Sequence, residues 1–259
     1  MKRVVFLFCS LIVLSSSVVL GQVRTNGGGS IGGERDDLTD PTIKDKNFKP
    51  KLYVTAGAGI ANMFGDLPQS IPSPAGRIGI GTRLTRTLVI GIDSYFGMLA
   101  SKQPANGWCD GFSSSGVFES IDLNAKVNFG NYINFPHSVI LRLLSEFYIG
   151  SGVGLVNSNP SFTGKFSARY PSLNERLANG EFTQSKVLAP YIPLNFGLKM
   201  PLNNFLGANN ASLMINIQIN YTFSDFIDGY SPPVTSAGNQ FNDAYTVFTI
   251  GLMVPFTKD

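Results

Sequence analysis

From Lys51 onward the chain alternates between apolar and polar residues with a period of two, and this limits its possible folds more than any other feature. The clearest segment is 213–221, where Leu, Ile, Ile, Ile and Tyr occupy the odd positions and Met and amide residues the even ones. A β-strand sends successive side chains to opposite faces, whereas a helix would distribute these residues around its axis. The sequence therefore predicts strands that have one apolar and one polar face.

Eight segments have this strand character. We predict strands at about 51–60, 76–84, 88–98, 117–129, 142–155, 187–200, 212–222 and 244–256. Spans near ten residues suit strands that cross a membrane at a tilt, and short connections alternate with long loops, as in outer-membrane barrels. The predicted fold class is all-β, a single closed antiparallel transmembrane β-barrel of about eight strands, OmpA/OmpX-like. A ten-stranded variant stays open, because 156–186 is long enough for another hairpin.

The polar face of the predicted strands combines many glycines with a few charges. Glycine suits the cramped interior of an eight-stranded barrel, and opposite charges there can pair, which offsets their desolvation. We expect an interior charge network of seven residues: Arg77, Arg83, Asp93, Asp122, Lys126, Glu146 and Lys199. The apolar face would then contact outer-membrane lipids. A soluble lipocalin-like barrel is the alternative, but it would need a more charged outer face than a chain with 14% charged residues offers.

The first 50 residues precede the alternation and are predicted to lie outside the barrel domain, 51–259. Residues 1–21 join a basic start to an apolar stretch ending at Gly21, which predicts a signal peptide, with an N-terminal membrane anchor as the alternative. The polar segment 22–50 predicts a flexible periplasmic linker, or a tail that binds a partner. Losing Lys2 and Arg3 with the signal lowers the 20 basic residues to 18, against 17 acidic ones. Such a balance gives no support to nucleic-acid binding.

Residues suited to catalysis or to a cofactor are sparse. The single histidine, His137, is predicted in a short periplasmic turn, whereas outer-membrane hydrolases need a base near the outer rim. Asp225 and Asp228 precede Gly229 and suggest a calcium loop, but two carboxylates are too few for a dedicated site, so we interpret them as turn residues. We predict no catalytic residue, metal, cofactor or small-molecule substrate. An outer-membrane enzyme is the third alternative for function.

The longest loop, 156–186, mixes charged and aromatic residues, including Lys165, Arg176, Phe162 and Phe166. This composition suits contact with a polysaccharide or another outer-membrane protein, because loops commonly have such functions. A plain solvated loop is the preferred interpretation. The thiol of Cys109 is predicted in another loop, without a function.

Five segments resemble those of known outer-membrane proteins. The segment from Gly251 to Phe256 resembles the C-terminal strand signal used in assembly of Gram-negative barrels, although 257–259 follow it. The segments 59–67, 191–199, 222–229 and 242–245 resemble the small outer-membrane barrel subunit of the Bacteroidetes type IX secretion machinery. The loop motif in this resemblance includes Asp225, Asp228 and Asp243.

The resemblance implies a role for the chain in protein secretion. It implies an accessory barrel that anchors periplasmic or lipoprotein components of a secretion ring in the outer membrane. Independently of the resemblance, an even strand count predicts that both termini are periplasmic. The near balance of interior charges predicts a lumen that does not conduct. The alternative is a free-standing small barrel that acts as a porin or transporter or binds at the cell surface.

Overall fold

The computed structural model describes residues 51–85, 87–128, 147–202, 211–231 and 242–256. The elements are β1 (Lys51–Phe64), β2 (Gln69–Ile71), β3 (Ser73–Arg83), β4 (Leu88–Gln103), β5 (Cys109–Asn128), β6 (Phe147–Phe166), α1 (Pro171–Ala178), β7 (Val187–Pro201), β8 (Ser212–Thr222) and β9 (Ala244–Pro255). No helix in this part of the chain is long and apolar enough to cross a membrane. The predicted signal peptide and linker, His137 and Glu146 lie outside the described residues.

The strands pair antiparallel in a closed ring. Its order is β1, β3, β4, β5, β6, β7, β8 and β9, and β9 pairs with β1 from Tyr53↔Pro255 to Phe64↔Ala244. The short strand β2 continues β3 along the edge of β4 after an interruption at Pro72. The predicted single antiparallel barrel of about eight strands is therefore confirmed. The ten-stranded alternative is wrong, because 156–186 contains the end of β6 and α1.

The wall of the barrel has an apolar outer face and a polar inner face. In β8, the side chains of Asn216 and Gln218 are fully buried in the lumen, whereas Ile217 and Ile219 are 44% and 40% exposed. Large apolar side chains are exposed along the other strands as well: Ile78, Ile80, Ile92, Ile121, Leu123, Val153, Leu155, Ile250, Leu252 and Val254. Exposure of so large an apolar belt to water would cost free energy, whereas contact with lipid would not. The soluble lipocalin-like alternative is therefore wrong.

Small inward residues allow the first and last strands to pack closely. Gly57 of β1 lies opposite Gly251 of β9, and a Cβ on Gly251 would overlap the backbone of Ala56. A Cβ on Gly59 would overlap the carbonyl group of Phe248. A larger residue at either position would push β1 and β9 apart, where the ring closes.

Strands β5 and β6 extend well beyond the apolar belt. Each has 20 residues, where the alternation predicted only 117–129 and 142–155. At about 3.3 Å per residue and a tilt near 40°, such strands rise about 50 Å, roughly twice the 25 Å apolar band of outer-membrane barrels. The start of β5 and the end of β6, which pair from Cys109↔Phe166 inward, therefore project from the end of the barrel at which β1 ends, which we call the loop rim.

An aromatic cluster packs at the loop rim, where a solvated loop was expected. Its buried members are Leu67, Cys109, Phe112, Phe166, Phe182 and Tyr230. Phe162 stacks on Tyr230 with ring centroids 4.8 Å apart, and Leu173 and Leu177 of α1 pack against the cluster. The interpretation of 156–186 as a plain solvated loop is wrong, because these aromatic side chains form a small core of their own. Cys109 is likewise buried at the start of β5, not in a loop.

Candidate functional site

A network of polar side chains fills the middle of the lumen around Asp93 of β4. Its Oδ1 accepts hydrogen bonds from Arg77 Nε at 3.2 Å and Nη2 at 2.8 Å. Its Oδ2 accepts hydrogen bonds from Lys126 Nζ at 2.6 Å and Asn124 Nδ2 at 2.8 Å. All four side chains are buried. One carboxylate therefore faces two cations inside the barrel.

A second buried carboxylate, Asp122 of β5, links the network to the opposite wall. Its Oδ2 accepts hydrogen bonds from Gln218 Nε2 at 2.7 Å and from the Tyr191 hydroxyl at 3.1 Å. Asn124 donates to both Asp122 and Asp93 and so connects the two acids. The contacts join β3, β4, β5, β7 and β8. They hold the wall together through side chains in addition to the backbone ladder.

The structure distributes the seven charged residues expected in the lumen as follows. Arg77, Asp93, Asp122 and Lys126 belong to the network, and Lys199 is buried in β7 near one mouth of the lumen. Arg83 is half-buried at the end of β3. Glu146 lies outside the described residues.

The amides and tyrosines that complete the network were missed as functional residues. Asn124 has the same parity as Asp122 and Lys126 in β5, and Gln218 has the same parity as the amides of β8, so the alternation already assigned both to the polar face. Tyr191 gave no such signal, because aromatic residues occur on both faces of a barrel wall.

One mouth of the lumen leaves little room for solute. A cavity of about 10 Å³ lies between Tyr53, Lys126, Tyr148, Lys199 and Met214. That volume holds about one water molecule. The Lys126 ammonium group also lies 5.9 Å from the centre of the Tyr148 ring, so this mouth of the lumen is occupied by side chains.

Four aspartates meet at the loop rim, and we call them the aspartate cluster: Asp66, Asp225, Asp228 and Asp243. Asp66 follows β1, Asp225 and Asp228 lie in the turn after β8, and Asp243 precedes β9. They come together because β9 pairs with both β1 and β8. One carboxylate oxygen from each of Asp66, Asp225 and Asp243 lies within 4.8 Å of the other two. The sequence predicted only two carboxylates here, Asp225 and Asp228. That count is wrong, because the fold adds Asp66 and Asp243.

Backbone N–H groups orient the two deepest carboxylates of the cluster. Asp243 Oδ2 accepts hydrogen bonds from the N–H of Ile227 at 2.7 Å and of Asp228 at 3.2 Å. Asp228 Oδ1 accepts a hydrogen bond from the N–H of Tyr230 at 2.9 Å. Gly229, between Asp228 and Tyr230, has a φ of 80°, a left-handed conformation that favours glycine. In each of these two carboxylates, backbone N–H groups of the turn therefore bind one oxygen, and the other oxygen accepts no hydrogen bond.

Burial and mutual repulsion oppose ionisation of the cluster. Burial, followed by repulsion from Asp225 and Asp228, raises the pKa of Asp66 to about 8. Burial raises the pKa of Asp228 to about 7. Burial, followed by repulsion from Asp228, raises the pKa of Asp243 to about 9. Without a compensating cation, Asp66 and Asp243 therefore retain protons at neutral pH.

Gly251 and Phe256, expected to form the C-terminal assembly signal, lie at the opposite end of β9. Gly251 is the small inward residue opposite Gly57. Phe256 follows the last strand residue, is 68% exposed, and donates its backbone N–H to the carbonyl oxygen of Leu52 at 2.8 Å. The pairing with β1 thus continues to Phe256.

A closed ring of eight antiparallel strands, apolar outside and filled with polar groups inside, defines a small membrane-spanning β-barrel of the outer-membrane type. No protein-family model matches the chain, and no curated protein matches it.

Solved structures of small outer-membrane proteins are similar in architecture. Neisserial surface protein A has 14% identity and a TM-score of 0.37, over 79% of this chain and 97% of that one. Ail of Yersinia pestis, in complex with the heparin analogue sucrose octasulfate, has 8% identity and a TM-score of 0.41, over 81% and 100%. OprG of Pseudomonas aeruginosa has 10% identity and a TM-score of 0.28, over 80% and 96%. At these scores the likenesses carry no argument, and the class assigned above depends on strand pairing and on the polarity of the two faces.

Proposed function

We propose that this protein is a structural barrel that anchors a periplasmic assembly in the outer membrane, as an accessory of a type IX protein secretion system. The observation that carries the proposal is the filled lumen. Asp93 is bonded to Arg77 and Lys126 across the space that a pore would leave open. A barrel without an open path acts through its surfaces and its chain extensions, which supports binding and anchoring as its function.

The assignment to a secretion system depends on the four segments that resemble the type IX barrel subunit. They lie far apart in the sequence, yet parts of all four meet near the loop rim. Asp66, Asp225 and Asp243 come from three of the segments and lie side by side. Tyr191, from the remaining one, lies with its ring centroid 6.0 Å from that of Tyr245. Residues of the four segments therefore lie close together in the folded chain. This proximity supports the resemblance to the type IX barrel subunit.

The proposal includes an orientation and a contact region. With both termini in the periplasm, the segment 22–50 enters the barrel at Lys51 on the periplasmic side, and the loop rim faces outward. Periplasmic or lipoprotein ring components would then contact 22–50 and the short turns. Lipids of the outer membrane would surround the apolar belt.

The native size of the complex tests the proposal. The full chain is extracted gently from outer membranes, and its co-purifying proteins are identified. We expect a large particle that contains periplasmic or lipoprotein ring components. Replacing 22–50 with a Gly-Ser segment of equal length should release them, whereas Asp110→Asn, a charge change at an exposed residue outside 22–50, should not. A particle of one barrel without bound protein contradicts the proposal.

Two further measurements separate the proposal from other functions. Planar-bilayer recordings should show no large steady conductance, and a stable open level would favour a porin or transporter. The variant His137→Ala should fold to the same barrel as the wild type and should lose no enzymatic activity. A hydrolytic activity that disappears in this variant would favour an outer-membrane enzyme instead.

A further inference from the structure

We propose that the aspartate cluster binds one Ca²⁺ ion, which joins the chain segments next to β1, β8 and β9 at the loop rim. This inference is independent of the proposed function, because it concerns a metal site and not a protein partner. It assigns the cluster a role beyond that of turn residues.

The spacing of the carboxylates fits a calcium ion. Calcium takes oxygen ligands at about 2.3–2.6 Å, so ligands on opposite sides of the ion are about 4.6–5.2 Å apart. Oxygens of Asp66, Asp225 and Asp243 all lie within 4.8 Å of one another, which places them inside one coordination sphere. Carboxylate oxygens are ligands for hard cations and not for soft transition metals.

Two buried oxygens without hydrogen bonds are a second observation that indicates a ligand. Asp243 is 1% exposed and Asp228 2% exposed. Asp243 Oδ1 and Asp228 Oδ2 accept no hydrogen bond, although the other oxygen of each carboxylate is bound by backbone N–H groups. An oxygen of this kind costs free energy when it is buried without a partner. A cation between them would remove that cost.

The two oxygens face the same point. A Cβ built on Gly65 would lie 2.5 Å from Asp243 Oδ1 and 2.7 Å from Asp228 Oδ2. The absent side chain at Gly65 thus leaves the approach to both oxygens open. Asp66, the next residue, has one buried oxygen, Oδ2, that also accepts no hydrogen bond.

In the part of the chain that the structure describes, no ion pair involves Asp66, Asp228 or Asp243. A divalent cation supplies the missing positive charge.

Calcium titration of the full chain tests the inference. The protein is refolded in detergent, washed with a chelator, and titrated with CaCl₂ in a calorimeter. We expect one ion per chain with a dissociation constant at or below about 1 mM, the range of extracellular calcium modules. The variants Asp243→Asn and Asp66→Asn should each weaken binding about tenfold or more, because affinity follows the number of ligand charges.

The matched control removes an acid that lies outside the cluster. Asp110 lies at the start of β5 with its side chain 47% exposed, so Asp110→Asn makes the same chemical change without touching the cluster. Its calcium affinity should equal that of the wild type. Folding of every variant is checked by its migration on a gel before and after boiling. If Asp243→Asn does not fold, the half-buried Asp66 decides the test.

Two results would overturn the inference. Wild-type protein that takes up no calcium up to 10-fold above the expected dissociation constant would show that the cluster is not a site. Calcium binding that persists unchanged in both Asp66→Asn and Asp243→Asn would show that the ion binds elsewhere. Neither result would affect the secretion proposal, which depends on 22–50 and on the filled lumen.

Discussion

Replacement of Asp93 by asparagine should destabilise the barrel more than most other single changes. Asparagine has nearly the same shape, so the packing of the lumen is kept. The negative charge is lost, however, and an NH₂ group now faces two cations. Arg77 Nη2 at 2.8 Å and Lys126 Nζ at 2.6 Å lose the carboxylate between them. Both cations stay buried, because their strands are fixed by the backbone ladder.

The expected cost follows from the cost of an unpaired buried charge. Breaking a buried ion pair by removing one partner costs about 3–5 kcal/mol. Asp93 serves two cations, and Asp122, the other buried acid of the network, accepts hydrogen bonds from amides and a hydroxyl. We therefore expect Asp93→Asn to lower the free energy of unfolding by about 4 kcal/mol. The double variant Asp93→Asn with Lys126→Met should recover part of the loss, because one cation leaves with the anion.

Equilibrium unfolding in urea measures this cost. The protein is inserted in lipid vesicles, and the folded fraction is read from gel migration without boiling. Asp110→Asn is the matched control, since its pair with Lys165 is 3.6 Å long and exposed, and such pairs contribute at most about 1 kcal/mol. An Asp93→Asn barrel within about 1 kcal/mol of the wild type would refute the reasoning, because the two cations would then be stabilised without the carboxylate.

Three other changes have defined outcomes. Gly59→Val should prevent folding to the heat-modifiable form, because a Cβ there overlaps the backbone of β9, whereas Ala58→Val, on the lipid face, should fold normally. Phe166→Ala should remove about 3 kcal/mol from the aromatic cluster and speed proteolysis after β6, while Tyr170→Ala, on an exposed residue, should not. With calcium chelated, the free energy of unfolding should fall as pH rises from about 4 towards 9. In this range the raised pKa values of the aspartate cluster make the folded chain bind more protons than the unfolded chain. Urea midpoints measured across this range should show a shallower fall for Asp243→Asn, and midpoints that rise in the wild type would contradict the assignment.

The membrane-crossing part of the fold was predictable from the sequence. The strand predicted at 212–222 has the same bounds in the structure, and the one predicted at 187–200 differs by a single residue. In these strands the outer face meets lipid along most of its length, so the alternation is complete. The period of two is a direct consequence of that environment.

The loop rim was not predictable in the same way. Beyond the apolar belt, the outward positions of β5 are Ser113 and Ser115, so the alternation of apolar and polar residues ends while the strand continues. The aromatic cluster instead brings together single residues from several loops. Such residues have no common period, and only the folded strands place them together.

The aspartate cluster is an intermediate case. Asp225 and Asp228 form a recognisable pair in the sequence, and Asp243 belongs to another distinctive segment, but Asp66 stands in a long predicted loop without a partner. A closed barrel pairs its first and last strands, so the residues that follow β1 must lie beside those that precede β9. Ring closure alone, applied to the predicted strands, is therefore enough to place Asp66 next to Asp243.

The opposite polarity of the two wall faces also determines how the sequence can change over evolutionary time. Lipid requires only that Ile217 and Ile219 be apolar, so one aliphatic residue can replace another there at little cost. Gln218 and Asn216 each bond to particular partners across the lumen, and a change in one member of such a pair requires a change in the other. Related barrels should therefore retain every second residue of a strand while the residues between them drift. Aligning only the inward positions should detect relationships that overall identity conceals.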